Sequence, residues 1–155
     1  MDLPFEEIKE IRFNRKRIPI PPEMRPMYKI SQIILILKLS STKQTASLLK
    51  LQLFNWGLQN EARCNRLLKL KETNDFPIIR FDPFLNRALN YGVGMGILSF
   101  KQNTGKFSLT EKGEELANRI ISESVLLEQI KFLNAIKKSL SDTYILRIFK
   151  ERYST

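Results

Sequence analysis

Apolar residues recur at helical spacing over residues 26–39, through Met27, Ile30, Ile33, Ile34 and Leu37. Within that stretch residues 33–37 are apolar all round, which predicts a helix at the centre of the fold. Three of those five residues are β-branched, so a buried strand is the rival reading. Ser40-Ser41-Thr42 signals a turn and a cap. A second helix is then expected over residues 43–58, with Ala46, Leu49, Leu53 and Trp56 on one face and Leu48, Leu51 and Phe54 widening it. On that face Trp56, the only tryptophan, is expected to fill the core rather than to offer a stacking surface. Gly57 ends or kinks this helix, and a shorter one over residues 60–71 turns Cys64, Leu67 and Leu68 inward.

The period then shortens. Residues 73–80, with Asn74, Asp75 and Pro77, read as a loop leading into a short strand at 78–81. Asp82 suits a helix N-cap and Pro83 its first position, where no N–H is needed. Leu85, Ala88, Leu89 and Val93 continue that helix until Gly94 and Gly96 end it. Residues 97–101 and 106–109 alternate as two short strands joined through Asn103-Thr104-Gly105, which is hairpin chemistry. Thr110 then caps a helix with Glu111, Glu114 and Glu115 in its first turn, where acidic side chains favour the dipole. Helix, hairpin and a Leu-Thr-x-x-Gly opening of the next helix resemble the second half of a winged-helix domain, with residues 78–81 as the third strand.

Two further helices follow. Leu126, Ile130, Leu133 and Leu140 repeat near heptad spacing, and Tyr144, Ile145, Ile148 and Phe149 mark the last helix. They exceed what a minimal winged helix needs, and a docking surface is preferred over a lid on the same core. Before residue 26, Pro4, Pro19, Pro21 and Pro22 forbid a long helix after about Ile11. The expected fold is mainly α with a small β-hairpin. It comprises an extended basic arm at 1–24, a winged-helix domain at 25–120 and a helical extension at 121–155. There is no internal repeat and no low-complexity segment.

Composition narrows the function. A chain of 155 residues suits one domain with appendages, and 43% hydrophobic with 27% charged residues is ordinary. The formal charge of +10 is not ordinary, and favours an acidic partner, either nucleic acid or an acidic protein face. Without histidine the usual general base and the commonest metal ligand are missing. Cys64 is the only cysteine, so no internal disulfide forms, which suits a reducing cytoplasm. The opening MDLPFEEIKE has no apolar segment of signal-peptide type, and residues 33–37 are too short to span a bilayer, so a cytoplasmic location is expected.

Catalytic motifs are absent. There is no G-x-x-x-x-G-K-[ST], and Gly92, Gly94 and Gly96 end a helix instead of opening one on a phosphate. A serine or cysteine nucleophile would lack a histidine base. Neither a cofactor nor a metal is expected. Binding residues are easier to find. Arg12, Arg15, Lys16 and Arg17 form a basic cluster that suits a phosphate backbone or an acidic groove, or else a solvated strand edge. Arg63, Arg66 and Lys69 form a basic stripe that could face DNA or simply solvent. The helix before the hairpin offers Asn86, Arg87 and Asn90, side chains that read adenine and guanine, and the wing adds Lys101 and Lys106.

The order RPMYKISQIILILKL, ASLLKLQLFNWGL, IIRFDPFLNRALNYGVGMGIL and KFSLTEKG is similar to the small middle components of bacterial ABC-three-component anti-phage systems, the group that includes Lamassu. The resemblance covers residues 25–120. It is most telling in LQLFNW at 51–56 and in Asp82-Pro83-x-x-x-Arg87-Ala88-Leu89. It implies a non-enzymatic subunit bridging an SMC-like ATPase and a toxic effector, often a nuclease, with double-stranded DNA touched directly or through the complex. A winged-helix DNA-binding transcriptional regulator is the alternative. No membrane partner is expected.

Overall fold

The computed structural model describes residues 25–153. Pro26 opens helix α1 (Pro26–Ser40), whose run from Ile33 to Leu37 is entirely buried. A helix apolar on every side needs cover on every side, and the rest of the fold is arranged around that need.

After Ser41 the chain makes a single 3-10 turn (Thr42–Gln44), with Lys43 and Gln44 in the left-handed region. It then enters strand β1 (Thr45–Ser47). The helix expected from residue 43 therefore begins five residues later, as α2 (Leu48–Gly57), with the Ser47 side chain accepting from the Lys50 amide. Two short helices follow: α3 (Glu61–Leu68), capped by Asn60, and α4 (Leu70–Thr73), ended by Asn74 in the left-handed conformation.

Residues 74–82 run without helix, strand, turn or bend. The strand expected at 78–81 does not form. The third strand of the sheet is β1, whose Thr45, Ala46 and Ser47 lie opposite Ser108, Phe107 and Lys106. Helix α5 (Pro83–Gly94) leads into the hairpin β2 (Leu98–Lys101) and β3 (Lys106–Leu109), and the antiparallel sheet has the order β1-β3-β2. Thr110 caps α6 (Glu111–Ser122) by accepting from the Gly113 amide. A Cβ on Gly113 would stand 2.3 Å from the Ile97 carbonyl oxygen, so α6 lies directly on the main chain that opens β2.

Helices α7 (Leu127–Ile136) and α8 (Asp142–Tyr153) complete the described chain. Ile130, Leu133, Ile136, Leu140, Ile145 and Ile148 are buried in the same core as α1. The Ser40 hydroxyl donates to the Leu133 carbonyl at 3.0 Å. The stripe expected to form a docking surface is thus a lid, because α1 needs cover on that flank. Only Leu127 at its edge stays exposed.

Trp56 also departs from expectation. It is half-buried at the margin of the core, with the Arg63 and Arg66 guanidiniums 4.9 and 5.6 Å from its ring. Phe54 fills the core instead, its ring 6.4 Å from that of Phe132. The inward side of α2 carries Lys50, Gln52 and Asn55 among its apolar residues, which hid its direction. On α3, Leu67 is buried but Leu68 faces solvent. Among the described residues no helix is long and apolar enough to cross a membrane.

Candidate functional site

The start of α5 is locked to α1 and α2 by buried polar side chains. Asp82 caps α5 by accepting from the Phe84 amide at 2.9 Å. Its other carboxylate oxygen receives Lys29 Nζ at 3.1 Å and Asn55 Nδ2 at 3.2 Å, and Lys29 also donates to Asn55 Oδ1 at 2.6 Å. Gln52 grips the same turn, accepting from the Asp82 amide at 2.9 Å and donating to Asn86 Oδ1 at 3.1 Å. Burial works against the Asp82 carboxylate, yet the Phe84 amide, the Lys29 ammonium and Asn55 together hold its pKa below the ordinary value. The cluster therefore stays charged but internally neutral.

Beside it lies a cleft of about 660 Å³ between the first turns of α1, the end of α2 and residues 78–84. Trp56, Arg63, Arg80, Phe81 and Gln32 are among its lining residues. Gln32 is only 3% exposed, and its Oε1 makes no hydrogen bond. Arg63 donates to Gln59 Oε1 at 2.6 Å while lying over Trp56. Arg80 is exposed, with no hydrogen bond or ion pair to another described residue. Ile78 is 73% exposed and Phe81 42%.

The binding residues expected from sequence are dispersed. Arg63 and Arg66 meet over Trp56, and Arg66 also pairs with Asp75 at 3.5 Å. Lys69, at the end of α3, is exposed. Asn86, Arg87 and Asn90 are exposed on α5, but the Asn86 carbonyl is held by Gln52, and Arg87 lies over the Phe84 ring at 5.3 Å. Lys101 and Lys106 sit opposite each other in the hairpin, and Lys106 pairs with Asp142 at 3.5 Å. Arg12, Arg15, Lys16 and Arg17 lie outside the described residues. Residues 1–24 hold five basic and five acidic side chains, so the whole excess of +10 belongs to residues 25–153.

Sequence reasoning missed Lys29, Gln32, Gln52, Asn55 and Arg80. The available signal was polar residues at positions where α1 and α2 are otherwise apolar, since a buried polar group implies a partner. Among the described residues no group of three or more histidine, cysteine, aspartate or glutamate side chains could hold a metal. What the surface offers chemically is charge, π faces and unpaired main chain. No protein-family model, no curated protein and no solved structure matches this chain.

Proposed function

We propose that the chain is a non-enzymatic accessory subunit of winged-helix type that bridges an SMC-like ABC ATPase and an effector in an anti-phage defence complex. The order α1, β1, α2, α5, β2, β3, with β3 central in the sheet, supports the winged-helix assignment. The sequence resemblance over residues 25–120 is what supports this choice of partners.

One observation carries the choice of an interaction subunit over a transcriptional regulator. The helix preceding the hairpin, which would have to read a major groove, carries a single basic residue, Arg87. Its Asn86 carbonyl is already engaged, and one of the two wing lysines is paired with Asp142. Dedicated duplex readers concentrate charge on that face. Away from that face, Arg63, lying over Trp56, and the exposed Arg80 both line the cleft.

Co-expression with the neighbouring open reading frames tests the reading. The ATPase and the effector are expected to co-purify with the chain in one assembly, and the chain alone should cleave no DNA. Tight, sequence-selective duplex binding by the isolated chain, with selectivity lost in Arg87→Ala, would instead establish the regulator.

A further inference from the structure

We infer that the cleft beside Trp56 is a groove for an extended acidic segment of a partner protein, which adds a strand along residues 78–81. This rests on reading the chain as an interaction subunit, and names the chemistry of what that subunit holds.

The main chain makes the first argument. Residues 76–81 form no backbone hydrogen bond with any described residue, although they run without turn or bend. Folded proteins rarely leave such a row of donors and acceptors unmatched, and solvent-facing edges are ordinarily kept short, charged or twisted away. This edge is neither short nor wholly polar. Its sequence Phe-Pro-Ile-Ile-Arg-Phe is strand-forming, and Ile78 and Phe81 point into solvent. Pro77 has no N–H, so pairing would begin at Ile78. A strand laid alongside would satisfy the row and cover both apolar side chains, which is how β-augmentation builds affinity.

Charge makes the second. Arg63 and Arg80 both line the cleft, and the one carboxylate lining it, Asp82, is neutralised by Lys29. The groove therefore attracts an acidic chain, in keeping with the +10 excess of residues 25–153. The occupied face of Trp56 makes the third. The Trp56 ring is already covered by Arg63 and Arg66, which leaves little face for stacking a base. The groove thus suits a polypeptide better than a single-stranded nucleic acid.

The test uses the full chain and an arrayed set of synthetic octapeptides in which Asp or Glu alternates with Val, Ile or Phe. Basic counterparts of the same peptides and single-stranded DNA are run in parallel. Trp56, the only tryptophan, reports binding by its emission, and hydrogen exchange reads the amides of residues 78–81. Acidic peptides are expected to shift the emission and to slow exchange at 78–81. Ile78→Asp and Arg80→Glu, both exposed changes that should melt like wild type, are each expected to weaken binding about tenfold or more. Arg80→Lys should retain most of it. The inference falls if no acidic peptide binds, if single-stranded DNA shifts the emission instead, or if Arg80→Glu binds peptide as well as wild type does. It also falls if the 78–81 amides are already protected in the free chain, which would mean that another part of the chain fills the groove. Assembly with ATPase and effector that survives both variants overturns the groove but leaves the subunit role standing. Peptide binding by a chain that assembles with neither does the reverse.

Discussion

Lys29 and Asp82 stand 3.1 Å apart at the junction of α1 and α5, the lysine buried and the aspartate 19% exposed at its side chain. Removing one member of such a pair leaves the other's charge without its partner. Lys29→Met should therefore cost about 3 kcal/mol of stability, at the low end for a buried pair because Asp82 keeps some water. Denaturant titration near neutral pH checks this, and a loss under about 1 kcal/mol would show that the pair is solvated. The sign with pH follows from the lowered Asp82 pKa. Stability from this carboxylate is present above its unfolded value of about 3.9 and is lost as pH falls through the folded value, so the gap between wild type and Asp82→Asn should close in acid.

Lys50 makes an alkaline prediction. It is 2% exposed and donates to the Ser40 carbonyl at 2.7 Å, satisfying the end of α1. Burial pulls its pKa from 10.5 to about 8, against the attraction of Asp142 and with help from Lys106. Between those values the unfolded chain holds a proton that the folded chain has released, so stability rises with pH. Wild type should gain on Lys50→Met by up to about 3 kcal/mol between pH 8 and 10.5, measured by denaturant midpoints at several pH values. A constant difference would mean that Lys50 titrates like a free lysine.

Phe54→Ala should destabilise by about 3–5 kcal/mol, as loss of a core aromatic does. Trp56→Ala should cost about 1–2 kcal/mol, the contribution of a half-buried ring carrying two guanidiniums. Thermal unfolding of both variants decides the ranking, and the reverse order would return Trp56 to the core.

Gly113→Ala would press a methyl group onto the Ile97 carbonyl oxygen, a main-chain atom with little room to retreat. A loss of about 1–3 kcal/mol is expected, by the usual cost of overpacking. Equilibrium unfolding reads it, and an unchanged or raised stability would mean that α6 can lift away from the hairpin.

Much of the fold was legible because its signals are local. Pro26, Asp82-Pro83, the Asn103-Thr104-Gly105 turn and Thr110 each mark a boundary through their own chemistry, and the structure puts boundaries at or beside each of them. What was hidden depends on residues far apart in the chain. Nothing in Thr45-Ala46-Ser47 announces pairing with residues 106–108, and the composition of residues 78–81 announces a strand that pairs with no other described residue. The facing of Trp56 is hidden because Lys50, Gln52 and Asn55 look like a solvent side until they are seen to pair, Lys50 donating to the Ser40 carbonyl, Gln52 accepting from the Asp82 amide and Asn55 accepting from Lys29. The site suffered in the same way. Arg63 and Arg66 were visible as a stripe, but their meeting over Trp56 requires α3 to fold back beside the end of α2.

The burial of α1 has a consequence for synthesis. Its apolar run emerges from the ribosome before any of the helices that enclose it, and α7, which shares its flank, lies some ninety residues later. Until then the nascent chain carries five uncovered aliphatic side chains in a row, a segment of the kind that chaperones hold and that aggregates when crowded. Slower translation of the residues that follow α1 should thus lower the soluble yield.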